Sequence, residues 1–162
     1  MIKVNVAEIK KRLVGQKTFT FDLTPDELEI SPKEIEILEA VRTEGCISNA
    51  GDVLLLEATM STQVRRTCGR CLKEFTAVTK AEVLEKFYPA SADNIEKDAF
   101  VYDSDVLDIT EPLRESLLLA EPMQALCKED CQGLCAKCGA DLNAKNLCRK
   151  RMHFLNIKLV RN

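Results

Sequence analysis

The sequence predicts an α+β fold, mainly antiparallel strands in a meander or barrel-like sheet, with a few helices and a cysteine-rich C-terminal segment. Two observations carry that expectation. Stretches between residues 18 and 87 alternate apolar and polar side chains at the two-residue period of half-buried strands. Of eight cysteines, six fall into close pairs: Cys68/Cys71, Cys127/Cys131 and Cys135/Cys138. With 46% apolar residues among 162, the chain can bury a core without depending on a metal alone. Tryptophan is absent and aromatics total 5%, which argues against a deep aromatic ligand pocket, so no small-molecule substrate is expected.

The elements follow in chain order. Met1 to Leu13 carries Lys3, Lys10, Lys11 and Arg12 without a long apolar run, so neither signal peptide nor membrane anchor is expected and a cytoplasmic location is. Residues 6–13 read as a short helix with Val6, Ile9 and Leu13 close to one face. Phe19, Phe21 and Leu23 alternate with Thr18, Thr20 and Asp22 and predict a strand. Another is predicted from about Ile35 to Ile47, and residues 48–52 supply hairpin-turn chemistry. From Val53 to Val64 one face reads Leu54, Leu56, Ala58, Met60, Thr62 and Val64, against Glu57, Thr59, Ser61 and Gln63. Phe75, Ala77, Ala81, Val83 and Phe87 share one parity of the following strand, interrupted by Val78, Leu84 and Glu85. Between these strands lie residues 67–73, so Cys68 and Cys71 sit at the tip of a predicted hairpin.

Residues 89–98 are polar and read as a mobile loop, followed by short strands at residues 100–102 and 106–107. Thr110 is placed as the N-cap of a helix over about 110–121, with Glu111, Pro112 and Glu115 suited to its first turns. Leu113, Leu117 and Ala120 lie on one face of it, a core face before it is a docking face. Pro122 disfavours helix at Glu121. The expected organisation is a β-rich core domain over 1–126, a cysteine-rich segment over 127–148, and a tail over 149–162 to which no element is assigned.

Charge is unevenly spread. Residues 1–127 hold 15 Lys/Arg against 23 Asp/Glu, while residues 128–162 hold 8 against 3. Arg65, Arg66, Arg70, Lys73 and Lys80 oppose only Glu74 between positions 65 and 80. Basic charge thus gathers around the cysteines. It reads either as a solvated edge that discourages strand pairing or as a surface for phosphates; the candidate contacts are Arg65, Arg66, Arg70, Lys73, Lys137 and Lys145. The overall acidic balance argues against tight nonspecific nucleic-acid binding.

A reducing compartment disfavours disulfides, and C-x-x-C and C-x-x-x-C spacings turn two sulfurs toward one ion, the geometry tetrahedral zinc requires. Two partitions are compatible with the spacing. One groups Cys68, Cys71, Cys127 and Cys131 around one ion and leaves Cys135, Cys138 and Cys148 for a second, with His153 as candidate fourth ligand. The other groups Cys127, Cys131, Cys135 and Cys138 and leaves Cys68 and Cys71 without two partners. The sequence thus calls for one or two zinc ions. Cys46 stands alone in a predicted strand and reads as a packed core residue. His153, the single histidine, reads equally as a surface residue.

Cys68-Gly69-Arg70-Cys71-Leu72 followed by Phe75 resembles the central C-x-R-C-L motif of the YceD family. Residues 133–143, Gly-Leu-Cys-Ala-Lys-Cys-Gly-Ala-Asp-Leu-Asn, resemble that family's G-L-C-x-x-C-G-x-(D/N)-L-N signature, and Leu113 to Pro122 is similar to its leucine-rich helix ending in a proline. The resemblance extends to about residue 148. It implies a role in accumulation of large-subunit ribosomal RNA and in large-subunit assembly, with that RNA or a ribosomal protein as partner. One departure stands out: the family's tail commonly ends in a C-x-C pair, whereas Cys148 is followed by Arg149 and Lys150.

The expected protein is therefore a non-catalytic zinc-binding factor. A dithiol oxidoreductase built on Cys68 and Cys71 is the enzyme alternative, since Arg70 between the sulfurs favours a thiolate. Such enzymes, however, place the motif at a helix start beside a βαβ pattern, not between strands. A zinc-structured adaptor that binds only protein is the third reading. Oligomeric state is not legible in the sequence.

Overall fold

The computed structural model describes residues 1–12, 14–93, 95, 97 and 99–144. In chain order the elements are β1 (Lys3–Asn5), α1 (Ala7–Lys10), β2 (Gln16–Leu23), β3 (Glu36–Ile37), β4 (Val41–Asn49), β5 (Leu54–Thr67), β6 (Glu74–Pro89), β7 (Phe100–Tyr102), β8 (Val106–Asp108) and α2 (Thr110–Leu119). The chain divides into two compact units. Unit 1 comprises Met1–Arg65 and Thr76–Pro122; unit 2 comprises Arg66–Phe75 and Met123–Asn162. The hairpin tip therefore groups with the cysteine-rich segment, a division that no cut at a single sequence position produces.

The class is α+β and mostly strand, as expected. The barrel-like closure is corrected. The main sheet runs β2-β4-β5-β6-β7, with β3 also on β5, and its end strands β2 and β7 do not pair. Closing a sheet needs edge strands long enough to hold a staggered register. Here the last strand has three residues, and it joins β6 in parallel, with Phe87 opposite Phe100. β1 and β8 form a separate antiparallel pair that the sequence reading missed.

One face of the sheet is buried, and the register shows why. Phe19, Gly45 and Ala58 line up across β2, β4 and β5, as do Phe21, Thr43 and Met60. Leu54, Leu56, Ala58, Met60, Thr62 and Val64 of β5 are all buried, the face the alternation predicts. On β6, Thr79, Ala81, Val83 and Phe87 face the core, while Val78 and Leu84 are exposed on the opposite parity, so the interruption in the pattern is a surface feature. Gly45 leaves no room for a side chain: a Cβ there would lie 2.5 Å from the Glu57 carbonyl oxygen and 2.8 Å from the Phe19 ring. Ile2, Val4, Val6 and Ile9, then Leu28, Ile30 and Ile35, then Leu107, Ile109, Leu113 and Leu117 complete the unit 1 core.

Several local expectations shift. The strand predicted over 35–47 is split into β3 and β4, because residues 38–41 face only Thr62 and Gln63 of β5. The bulge keeps its hydrogen bonds: Leu38 N–H donates to Gln63 O at 2.8 Å, and Thr62 Oγ1 to Glu39 O at 3.0 Å. Cys46 falls on the outer face, half-buried beside Glu57, and is not a core residue. Burial first, then the Glu57 carboxylate, raise its pKa. Helix α1 is shorter than predicted, and Leu13 lies outside the described residues.

Thr110 is the first helical residue of α2 and not its N-cap. Asp108 Oδ1 accepts from both Thr110 N–H (3.0 Å) and Thr110 Oγ1 (2.6 Å) and so takes the capping role. Burial pushes the Asp108 pKa up, but those two hydrogen bonds outweigh it and hold the carboxyl below its ordinary value. Residues 89–98 begin as strand rather than loop, because Pro89 ends β6 opposite Tyr102. Thr24/Glu27 closes a capping box, and Glu34 accepts from the Ser31 N–H and hydroxyl, on either side of the buried Leu28 and Ile30, a spacing visible in the sequence but not used there. Among the described residues no helix is long and apolar enough to cross a membrane.

Candidate metal centre

The site lies wholly within unit 2. Cys68 and Cys71 occupy the six-residue connection between β5 and β6, a link too short for anything but a hairpin. Cys68 N–H donates to Lys73 O at 2.8 Å, and Leu72 N–H returns to Cys68 O at 2.9 Å. The chain turns back through Leu72 at φ 59, a left-handed conformation that a side chain with a Cβ adopts at a cost of about 1 kcal/mol or more. Gly69 N–H donates to Ala125 O at 2.8 Å and fixes the segment that carries Cys127 and Cys131 beside the knuckle.

These contacts bring four sulfurs together. The Sγ atoms of Cys68, Cys71, Cys127 and Cys131 all lie within 4.8 Å of one another. Cys68 Sγ stands 3.7 Å from Cys131 Sγ, and Cys71 Sγ 3.7 Å from Cys127 Sγ. Sulfurs bound about 2.3 Å from a tetrahedral zinc ion stand about 3.8 Å apart, so these two edges match that ion's size. Cys68, Cys71 and Cys131 are buried and Cys127 is half-buried, with Phe75, Leu126 and Leu134 packed against them. The four cysteines lie close enough to hold a metal ion.

Electrostatics point the same way. Hydrogen bonds from the backbone of Cys127 and then Cys71 outweigh burial and bring the Cys68 thiol down to about 6. At Cys71 the Lys73 amide favours the thiolate, but burial and the Cys68 sulfur overcome it and push the pKa up. Burial, then the sulfurs of Cys71, Cys68 and Cys131, push Cys127 up to about 12. Cys68 thus ionises easily while Cys71 and Cys127 resist, as expected of sulfurs crowded at one point. A dication among them reverses that resistance.

The surrounding shell comes from the second cysteine motif. Asn143 Nδ2 donates to Cys131 Sγ at 3.5 Å and to Asp141 Oδ1 at 2.8 Å, while Asn143 Oδ1 accepts from Gln132 N–H at 2.8 Å. Asn143 N–H closes an Asx turn on Asp141 Oδ1 at 2.9 Å. Asp141 is clasped by Lys73 from the hairpin tip, Nζ to Oδ2 at 2.5 Å. The Lys73 hydrogen bond first, then those from Asn143, hold the Asp141 carboxyl at about 2. Arg70 Nη1 donates to Cys131 O at 3.0 Å. The sequence reading saw Asp141, Leu142 and Asn143 only as part of a resemblance; the D-x-N spacing of an Asx turn was the available signal.

The other candidate residues are placed as follows. Cys135 is half-buried and Cys138 exposed, in a turn of their own outside the four-sulfur group. Arg65 belongs to unit 1 and pairs with Glu36 at 2.8 Å. Arg66, Arg70, Lys73 and Lys137 belong to unit 2. Lys145, Cys148 and His153 lie outside the described residues.

Comparison with known proteins completes the picture. A 29% identical stretch of 101 residues is shared with uncharacterized proteins of Mycobacterium tuberculosis and Mycobacterium bovis, covering 59% of this chain and 48% of each of them. The chain thus spans about half the length of these relatives. YlbN of Bacillus subtilis, also uncharacterized, is 26% identical over 118 residues, which is 71% of this chain and 69% of YlbN. No solved structure matches the chain. The profile of the large ribosomal RNA subunit accumulation protein YceD matches residues 56–154, a stretch that holds both cysteine motifs and α2. This chain belongs to the YceD family.

Proposed function

We propose that the chain is a non-catalytic cytoplasmic factor that holds zinc through Cys68, Cys71, Cys127 and Cys131 and promotes large-subunit ribosomal RNA accumulation and ribosome assembly. The observation that carries the zinc reading is the set of four sulfurs within 4.8 Å of one another, two of whose edges, at 3.7 Å, match a tetrahedral zinc site. A site of four protein thiolates leaves no position for water or substrate, which favours a structural ion over a catalytic one. The ribosomal role rests on family membership.

Charge supports RNA contact through unit 2. Unit 1 holds 12 Lys/Arg against 22 Asp/Glu, and unit 2 holds 11 against 4. A basic unit in a chain whose other unit is acidic suits directed contact with phosphates better than general nucleic-acid binding. Arg66, Arg70, Lys73, Lys137 and Lys145 are the proposed contacts. Arg65 is a further proposed contact; it pairs with Glu36, as Lys73 pairs with Asp141. A redox role has one favourable observation, the lowered Cys68 pKa, but that sulfur is fully buried and the motif does not open a helix.

The test is complementation of cells depleted of the protein. Wild type should restore the ratio of large- to small-subunit ribosomal RNA, and Cys68→Ser/Cys71→Ser should not. Binding to large-subunit precursors should weaken steeply with salt and disappear after RNase. An unchanged RNA ratio on depletion, or an association insensitive to both salt and RNase, would remove the ribosomal RNA reading and leave a protein-only adaptor.

A further inference from the structure

The main sheet of unit 1 leaves a long stretch of β6 open at its edge. β6 runs over 16 residues, and β7 pairs with its end alone, over Phe87–Pro89. Among the described residues no strand covers the edge from Thr76 to Lys86. Ala90 N–H donates to Tyr102 O, on the side of the strand that β7 occupies. Backbone groups of alternate residues point to the same side of a strand, and the burial of β6 alternates without a break from Thr76 to Phe87. Val78, Lys80, Glu82 and Leu84 therefore turn their N–H and C=O groups to the open edge.

The same four residues carry the outer face. Val78 is 61% and Leu84 67% exposed, an unusual state for apolar side chains in a strand this long. Lys80 and Glu82 are exposed and have no ion-pair partner among the described residues. A groove of about 440 Å³ is walled by Lys80, Glu82 and Leu84 of β6 and by Ser116, Leu119 and Ala120 of α2. Inner-face Ala81 and outer-face Leu84 both line it, so it lies beside the strand rather than over either face. Leu119, on its far wall, is 85% exposed. Sheet edges are commonly blunted by charged side chains, lysine above all. Here one lysine and one glutamate stand in the order apolar, positive, negative, apolar, which is its own complement when read backwards.

We infer that β6 pairs antiparallel with β6 of a second copy of this chain, about a two-fold axis at Ala81. That register sets Lys80 opposite Glu82 of the partner subunit, and Val78 opposite Leu84 of the partner subunit. By symmetry each pair occurs twice, as in any isologous contact. All four are positions whose backbone groups face the edge, so each pair exchanges both of its hydrogen bonds. Ala81 meets its own copy at a non-bonded position, where strands approach most closely and a small side chain fits. Moving the axis by one residue sets Lys80 against Lys80 or Glu82 against Glu82, so charge fixes the register. The second strand occupies the groove beside Leu119. β7 takes the edge at Phe87, which limits the ladder to Val78–Leu84. So short a contact belongs to the weak class, with a dissociation constant on the order of micromolar.

Sedimentation equilibrium of the full chain in reducing buffer tests this over roughly 1–500 µM, a range that brackets a weak association. The average mass should rise with concentration from one chain to two. Lys80→Glu and Glu82→Lys each set like charges opposite one another twice, and each should weaken association by about 10- to 100-fold. The double reversal Lys80→Glu/Glu82→Lys should restore the dimer. An equimolar mixture of the two single variants should associate at a concentration where neither does alone, since every cross-strand charge pair in the mixed dimer is opposite in sign. The substituted side chains are exposed, so far-ultraviolet circular dichroism should be unchanged in all variants. A chain that stays monomeric throughout the range would overturn the pairing. So would a dimer indifferent to the single reversals, or single variants that neither the double reversal nor the mixture restores.

Discussion

Zinc uptake at the four-cysteine cluster should depend steeply on pH. Zinc binds thiolates, so every ligand that carries a proton in the metal-free protein must release it. Cys127 is pushed up to about 12 and Cys71 above its ordinary value, so both are protonated near neutrality. Cys68, at about 6, has already lost most of its proton there. The sign follows: a thiol with a raised pKa keeps its proton until the pH passes that pKa, so affinity rises as pH rises. At least two protons are displaced per ion, which makes the apparent affinity climb by at least about 100-fold per pH unit between about pH 6.5 and 8. Below about pH 6 the Cys68 proton adds to the count and the slope steepens. Competition against a chromophoric chelator, corrected for the chelator's own protonation, measures this on the Cys135→Ser/Cys138→Ser variant, which isolates the four-cysteine cluster. A slope of about tenfold per unit or less would refute the argument, because it would mean that the crowded thiols are already ionised without the metal.

Asn143→Ala removes the hydrogen bond to Cys131 Sγ and the side-chain bonds to Asp141 Oδ1 and Gln132 N–H that position it, and should weaken zinc retention by about 10- to 100-fold in the same competition assay. Gly45→Ala forces a Cβ against the Glu57 carbonyl, Ala58 and Phe19, and should lower unit 1 stability by about 1–3 kcal/mol in urea unfolding while leaving zinc content unchanged. Lys73→Met should move the Asp141 carboxyl from about 2 back toward the ordinary range in a carbon-13 titration. With Lys73 present, the depressed pKa gives stability that is complete above about pH 4 and is lost as pH falls toward 2; Lys73→Met should shrink that contribution, so that less stability is lost over the same acid range.

Much of the fold was legible because it rests on period. The alternation in β5 and β6 selects one buried face whatever the partner strands are, and the break between them places Cys68 and Cys71 at a hairpin tip. The cysteine spacings likewise mark ligand pairs, since two sulfurs three or four residues apart are close in any tight turn. Which pairs share a centre is a matter of long-range geometry. Cys68 and Cys131 are neighbours because the Gly69–Ala125 hydrogen bond and the Lys73–Asp141 ion pair join segments more than fifty residues apart, and no local pattern encodes that distance. The open sheet was hidden for the same reason. Strand propensity cannot tell a three-residue parallel edge from the last stave of a barrel, and only the pairing of β7 with β6 decides it. The sequence by itself determined the buried face of β5 and the spacing of the cysteine pairs; tertiary structure decided which segments meet, because contact between distant segments depends on the whole packed chain.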